Sequence, residues 1–181
     1  DITVLFADVR GFTSFSETQE PEKLVSILNR YLGAMAESVL SQEGTIDKFM
    51  GDAIMSWFNA PVPQADHTLR AVKAALAIRD AFEGLYKILP KEAHLAFGAG
   101  IHYGDAVLGL IGTDRRIEYT AISDSVNTAK RLQENSAKNQ IIISRAAYAR
   151  VQDEVEVRPI APVAAKGKTQ PLEVYEVLGL K

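Results

Sequence analysis

Hydrophobic and polar positions follow two different periods along the chain, and together they predict a sheet covered by helices. Apolar residues recur every three or four positions from Pro21 until Gly44, and again between Leu69 and Leu89, which predicts two long amphipathic helices. Short β-branched and aromatic runs predict strands before, between and after these helices. Those runs cover residues 2–7, 45–50, 53–58, 95–103, 106–111, 117–122, 140–144 and 172–178.

Local signals predict how the second half of the chain is connected. Gly104-Asp105 predicts a turn that pairs the strand at 106–111 with the strand before it. Ser123 or Asp124 is expected to cap a helix that ends at Glu134. The resulting order β-α-β-β-α-β is the split βαβ arrangement. We therefore expect an α+β fold, a ferredoxin-like βαββαβ sheet with helices packed on it and additional C-terminal strands.

No internal repeat or linker interrupts this pattern, so residues 1–181 are expected to form a single domain. Because the sequence begins at Asp1 without a methionine, we expect the domain to be excised from a longer chain. With 47% apolar residues, one sizeable core is possible without disulfides. Tyr31 and Trp57 are expected in that core rather than in an interface.

Charge and composition exclude several classes of function. The 20 Lys and Arg residues are balanced by 23 Asp and Glu residues without a basic stripe, which argues against a nucleic-acid partner. The chain has no Cys and three His residues without metal-ligand spacing, so any metal would be held by carboxylates. No apolar stretch approaches about 20 residues, so we expect no membrane contact by this segment and a cytoplasmic location.

Two aspartates are candidate metal ligands. Asp8 ends the first predicted strand and Asp52 lies in the turn between the strands at 45–50 and 53–58. Strands one and three of a βαββ unit are neighbours, so both carboxylates would lie at one edge of the sheet. Mg²⁺ is held by one or two carboxylates together with substrate phosphates and water, which this pair matches. The alternative is that both are ordinary turn residues.

The loop that follows Asp8 contains Gly11, and its backbone N–H groups could reach a triphosphate. Elsewhere, Lys48 lies among apolar residues, where an adenine ring nitrogen would satisfy its ammonium group. Asn127 and Arg131 are spaced i, i+4 and would share one helix face. Lys166 lies in a glycine turn that could hold a cation against phosphate. Each of these residues, taken alone, could also be a solvated surface residue.

Five segments, taken in order along the chain, match the pattern of one protein family. They are residues 6–13 (FADVRGFT), 48–53 (KFMGDA), 100–104 (GIHYG), 119–132 (YTAISDSVNTAKRL) and 166–167 (KG). They resemble the catalytic domain of the class III nucleotidyl cyclases, which convert ATP or GTP to a 3′,5′-cyclic nucleotide. The resemblance extends over almost the whole chain. It implies that Asp8 and Asp52 hold two Mg²⁺ or Mn²⁺ ions in each active site.

The resemblance also implies roles for the other candidates. Lys48 and Thr120 would read the adenine edge, Asn127 would orient the ribose, and Arg131 would stabilise the pentacoordinate phosphorus. Lys166 would bind the β- and γ-phosphates. The substrate-binding loop would comprise Val9, Gly11, Phe12 and Thr13. In this family the metal ligands and the remaining residues come from opposite protomers, so a homodimer would carry two equivalent sites at its interface.

Base choice follows from the same resemblance. Guanylate-forming relatives tend to carry Glu and Cys at the two base-reading positions, where this chain has Lys48 and Thr120, so ATP is the expected substrate. Many adenylate-forming members carry Asp at the second position. Thr120 is similar to the subgroup that includes bicarbonate-responsive cyclases, so bicarbonate regulation is a hypothesis and GTP side activity stays open. The alternative function is a non-catalytic nucleotide-binding module of the same fold.

Overall fold

The computed structural model describes residues 1–181. The elements in chain order are β1 (Ile2–Arg10), α1 (Phe12–Ser16), α2 (Pro21–Leu40), β2 (Thr45–Met50), β3 (Ala53–Phe58), α3 (His67–Tyr86), β4 (Ala96–Gly104), β5 (Val107–Thr113), β6 (Arg116–Ile122), α4 (Asp124–Glu134), β7 (Gln140–Ser144), α5 (Arg145–Tyr148), β8 (Val155–Pro159) and β9 (Val174–Leu180). None of the helices combines the length and the apolar character that crossing a bilayer requires.

Seven of the strands form one sheet in the order β2-β3-β1-β4-β7-β9-β8. The first four are antiparallel neighbours in the order of a ferredoxin-like sheet, and β7 adds to β4 in parallel. The antiparallel strands β9 and β8 extend the sheet beyond β7. The predicted α+β fold with additional C-terminal strands is confirmed.

Strand β1 lies inside the sheet, and its side chains alternate between two apolar layers. Leu5 and Val9 belong to the large core that α2 and α3 cover, where Tyr31 is fully buried. Val4 and Phe6 belong to a smaller cluster on the opposite face, which contains the fully buried Trp57 and residues of β6 and α4. Both aromatic residues therefore lie in the core, as predicted. Asp8 is in phase with Phe6, so the alternation directs it to the α4 face.

The predicted partner of β5 is wrong. Residues 107–113 pair with β6 in a separate two-stranded antiparallel sheet, which we call the arm, and not with β4. Both edges of β4 are already occupied, one by β1 and the other by β7, so β4 has no free backbone groups for a third neighbour. The chain after Gly104 therefore leaves the plane of the main sheet.

Helix α4 joins the arm to the core. Ser123 caps the helix, because its hydroxyl accepts a hydrogen bond from the Val126 N–H at 3.1 Å. The helix lies so close to β4 that a Cβ atom at Gly100 would collide with the backbone of Gln133 and Ala129. This close approach places the polar face of α4 beside the ends of β1 and β3.

Candidate active site

The structure brings Asp8 and Asp52 into one cavity. Asp8 pairs with Ala53 at the end of the β1–β3 ladder, and the Val9 N–H donates a hydrogen bond to the Asp52 carbonyl at 3.0 Å. The cavity has a volume of about 340 Å³. Its walls are formed by Phe6, Asp8, Arg10, Met50, Asp52, Ala53, Lys130, Gln133 and Glu134. The neighbouring positions of strands one and three are thus confirmed.

Burial controls the charge of Asp8. Its side chain is 19% exposed, and this burial, opposed by Arg10 and reinforced by the charge of Asp52, raises the pKa of Asp8 to about 6. Arg10 Nε lies 2.9 Å from Asp8 Oδ1, but the two groups are not aligned for a hydrogen bond. Asp8 Oδ1 is therefore a buried carboxylate oxygen without a hydrogen-bond donor.

A divalent cation fits this environment. It would satisfy Asp8 Oδ1 and reduce the repulsion between Asp8 and Asp52, and hard cations prefer such oxygen ligands. No cluster of three or more His, Cys, Asp and Glu residues is present, so the protein supplies two carboxylates and leaves positions for phosphate and water. The residues fit a metal that is shared with a phosphorylated substrate.

Arg10 is a site residue that sequence reasoning did not identify. Besides Asp8, its guanidinium group donates hydrogen bonds to the Gln133 carbonyl and to Ser136 Oγ, the latter at 2.8 Å. A Cβ atom at Gly98 would collide with this guanidinium group, so a glycine at that position leaves room for it. The only sequence signal was a cation two positions after a candidate metal ligand.

The loop after β1 turns sharply into α1. Gly11 has a φ of 82°, which favours glycine, and the first hydrogen bond of the turn runs from the Phe15 N–H to the Gly11 carbonyl at 3.1 Å. Phe12 and Thr13 therefore lie in a first turn whose N–H groups have no intrahelical acceptor. Val9, which was also assigned to this loop, donates its N–H to the Asp52 carbonyl, and its place in a substrate-binding loop stays a prediction.

A second cavity collects Asn127, Arg131 and Lys166. Its volume is about 330 Å³, and it lies between α4 and the loop that contains Lys166. Lys168 holds this loop on the helix through an ion pair with Asp124 at 2.9 Å. The walls are formed by Asp124, Asn127, Thr128, Lys130, Arg131, Glu134, Ala165, Lys166 and Lys168. Four of these residues are cations, so the cavity suits an anionic group.

Lys48 and Thr120 meet where β2 lies against the arm. Lys48 Nζ lies 3.1 Å from Glu118 Oε2 and 3.6 Å from Asp47 Oδ2. The hydrogen bond to Glu118 and the charge of Asp47 raise the pKa of Lys48. The Thr120 hydroxyl donates a hydrogen bond to Asp47 Oδ2 at 3.0 Å. Asp47 was not identified from the sequence, although a carboxylate next to a lysine in a strand was a possible signal.

Within one chain these groups stay apart. Neither cavity contains both the carboxylate pair and any of Asn127, Arg131 and Lys166. The two cavities share only Lys130 and Glu134, so α4 forms a wall of each. The two groups of candidate residues therefore lie in two adjacent cavities of the same chain.

The arm exposes large apolar side chains on both of its faces. The exposed fractions are 73% for Leu110, 71% for Val107, 57% for Ile117 and Ile122, and 48% for Tyr119. Leu110, Ile117 and Tyr119 share one face, and Val107 and Ile122 share the other. Exposed apolar side chains concentrated in one hairpin are typical of an interaction site.

The chain belongs to the family of adenylate and guanylate cyclase catalytic domains, whose family model matches residues 1–179. It is 35% identical to adenylate cyclase 1 of Rhizobium meliloti (strain 1021), over 99% of this chain and 28% of the relative. It is 33% identical to the terminal-differentiation specific adenylate cyclase of Dictyostelium discoideum, over 98% of this chain and 8% of the relative. The chain thus spans less than a third of either curated relative.

Solved structures of both cyclase types are similar to this chain. The adenylyl cyclase CyaB from P. aeruginosa matches with a TM-score of 0.93 and 36% identity, over 98% of this chain and 93% of that chain. The guanylyl cyclase Cya2 matches with a TM-score of 0.88 and 37% identity, over 99% and 92%. The family resemblance is confirmed. Members generally use divalent metals, act on nucleotides and dimerise.

Proposed function

We propose that this chain is the catalytic domain of an adenylate cyclase, which converts ATP to 3′,5′-cyclic AMP and pyrophosphate. Similar structures include adenylyl and guanylyl cyclases at nearly equal identity, 36% and 37%, so overall similarity does not select the base. The observation that carries the choice of ATP is the pairing of Lys48 and Thr120 beside Asp47. The Thr120 subgroup stays a prediction.

Asp8 and Asp52 are the proposed ligands of two Mg²⁺ or Mn²⁺ ions. When bound, such ions lower the pKa of the ribose 3′-hydroxyl and neutralise charge on the phosphates. The raised pKa of Asp8 supports this assignment, because a bound cation would stabilise the ionised form, and so does the absence of an aligned hydrogen bond at Asp8 Oδ1. Arg10 also pairs with this carboxylate, through Nε at 2.9 Å from Oδ1.

The remaining residues bind and orient the nucleotide. The 3′-oxygen attacks the α-phosphorus, the new P–O bond closes the ring, and pyrophosphate leaves. Asn127 positions the ribose for in-line attack, and Arg131 stabilises the charge on the pentacoordinate phosphorus. Lys166 holds the β- and γ-phosphates, together with the free N–H groups of Phe12 and Thr13.

Activity in this proposal requires a homodimer with two-fold symmetry. One protomer supplies the carboxylates and the loop with Phe12 and Thr13, and its partner supplies the nucleotide-reading residues and Lys166. This arrangement fits the two separate cavities of one chain. The exposed apolar side chains of the arm support an interface between two copies. Bicarbonate regulation and a cytoplasmic location remain part of the proposal. A bicarbonate titration at fixed pH that leaves the rate unchanged would remove the former.

Complementation between two inactive variants tests this arrangement. Asp52→Asn damages the metal half of the site and Arg131→Ala damages the other half, so each homodimer should be inactive with Mn²⁺ and ATP. After mixing in equal amounts, half of the dimers carry both variants and each of these has one intact site. We expect about a quarter of wild-type activity.

The matched control is a mixture of Asp52→Asn with Asp8→Asn, which leaves no intact site and should stay inactive. Recovery in this control, or no recovery in the test mixture despite demonstrable exchange of protomers, contradicts the shared site. Preferred turnover of GTP by the wild-type chain contradicts the assignment of ATP. Bound nucleotide without any turnover favours the non-catalytic module.

A further inference from the structure

We propose that Asp47 fixes the choice of base by taking the only proton of the Thr120 hydroxyl, which leaves that hydroxyl as a hydrogen-bond acceptor. This inference rests on the proposed function, since it assumes that Thr120 faces the base. It adds a residue that does not itself touch the nucleotide. Asp47 is thus a positioning residue for specificity.

The backbone of β2 is built to aim Asp47 at Thr120. The register between β2 and β3 shifts between Ile46 and Lys48, so Asp47 is the extra residue of a β-bulge without a partner in β3. A bulge re-aims a side chain relative to the normal alternation. Asp47 and the next residue, Lys48, accordingly both reach β6.

The side chain of Asp47 has few alternatives to this contact. It is 1% exposed, and its Oδ2 atom receives the Thr120 hydroxyl at 3.0 Å and lies 3.6 Å from Lys48 Nζ. A carboxylate accepts hydrogen bonds and donates none when ionised, whereas a hydroxyl has one proton and two lone pairs. The proton of Thr120 therefore points to Asp47, and its lone pairs are left for a ligand.

This polarity matches adenine and opposes guanine. Adenine presents a donor in its 6-amino group and an acceptor at N1, whereas guanine presents an acceptor at O6 and a donor at N1. Thr120 can accept from the 6-amino group, and Lys48, with three N–H donors, can serve N1 while keeping its contact with Glu118. Guanine would place O6 against the lone pairs of Thr120 and leave these polar groups unpaired.

Asp47→Asn is the sharpest test because it changes the hydrogen-bonding character with almost no change of shape. Asn can donate as well as accept, so the Thr120 proton becomes free to turn towards O6 of guanine. We expect the ratio of kcat/KM for ATP to that for GTP to fall about 10-fold, through a gain with GTP. Asp80→Asn, an exposed charge change on α3, should leave the ratio unchanged.

A double-mutant cycle separates this role from a general structural one. Thr120→Val removes the hydroxyl and keeps the shape, so adding Asp47→Asn to it should produce no further change in the ratio. A further change of several-fold would mean that Asp47 acts through Lys48 or through folding, and would overturn the proposal. An unchanged ratio in the Asp47→Asn single variant would overturn it as well.

Nucleotide-binding measurements distinguish a failure of this inference from a failure of the proposed function. 3′-Deoxy-ATP and 3′-deoxy-GTP lack the attacking hydroxyl, so their dissociation constants report base choice without turnover. If the wild-type chain binds 3′-deoxy-ATP preferentially and Asp47→Asn loses that preference, the inference stands even if no cyclisation occurs. If the wild-type chain cyclises ATP selectively and the variant keeps its full preference in both assays, the inference fails alone.

Discussion

The central sheet and the arm use similar apolar sequences for different purposes. Strand β1 is covered on both faces, and its apolar residues are exposed by 2% or less. The arm has equally apolar strands, yet Leu110 is 73% exposed, although it lies on the same face as Leu108 and Ala121, which pack in the cluster around Trp57. The fold of one chain accounts for the burial in the sheet, whereas the exposed apolar residues of the arm fit the interface proposed above. Mutations in the two regions should therefore affect different measurements.

The largest expected effect is on stability, in the core. Trp57→Ala removes a fully buried side chain and leaves a cavity, which should lower the free energy of unfolding by about 3–5 kcal/mol in a urea titration. Leu110→Ala, in the arm, should change it by less than about 0.5 kcal/mol. Equal losses for both variants would mean that the arm is part of the monomer core.

The arm should respond instead in assembly and turnover. Leu110→Asp places a charge in the proposed interface, so we expect about 100-fold lower activity at low protein concentration and a monomer in sedimentation. At protein concentrations at which the wild type is also monomeric, the free energy of unfolding of Leu110→Asp should match that of the wild type. Val62→Asp is the matched control, because Val62 is also an exposed apolar residue, at 68%, but lies outside the arm. An intact dimer of Leu110→Asp would contradict the interface.

A pH dependence should distinguish the end of the central sheet that carries the buried Asp8 carboxylate from the arm. Because the pKa of Asp8 is about 6 in the fold and 3.8 ordinarily, metal-free protein loses stability as pH rises from about 4 to 6. Mn²⁺ binding should show the opposite trend, since protonated Asp8 is a poor ligand. Calorimetric titration should give affinity about 10-fold weaker per unit below pH 6 and constant affinity above pH 7.

The control for the pH series should change a charge outside the site. Asp52→Gln does not serve, because it would remove a proposed metal ligand together with its charge. Asp80→Asn does, and the Mn²⁺ affinity of this variant should follow the wild-type curve. Affinity that does not change between pH 5 and pH 7 would mean that Asp8 does not bind the ion.

The smallest effect is expected at Ser123, which lies between strand β6 of the arm and helix α4. Ser123→Ala removes the helix cap of α4 and should cost about 1 kcal/mol of stability in urea, because the Val126 N–H loses its acceptor. Ser123→Thr keeps a hydroxyl and should restore most of that loss. A loss of activity in Ser123→Ala without loss of stability would instead indicate a direct role in the site.

Sequence patterns predicted the sheet and the long helices well because each of these elements depends on a signal within its own stretch of sequence. The apolar period sets α2 and α3, and the turn at Gly51-Asp52 sets the β2–β3 hairpin. The partner of β5 was predicted wrongly because strand pairing depends on which edges are free, and β7 comes later in the chain. Strand β1 also runs on to Arg10, since β4 pairs with it beyond the last contact with β3.

For the candidate site, residue types and spacing indicated Asp8, Asp52, Asn127 and Arg131, which the structure places in two adjacent cavities. Arg10 and Asp47 escaped because their roles depend on partners that are distant in the chain. Arg10 reaches residues more than 120 positions away, and Asp47 contacts Thr120 only because a bulge turns it. Neither relation leaves a local pattern.

Helix α4 is attached at its two ends to the two halves of the candidate site. The guanidinium group links the carboxylate end of β1 to the last turn of α4, while the ion pair between Asp124 and Lys168 attaches the Lys166 loop near the first turn. A small tilt of this helix would therefore displace the proposed metal ligand Asp8 and the proposed phosphate-binding residue Lys166 together. A domain or partner that shifts α4 would therefore change the rate of turnover without entering either cavity.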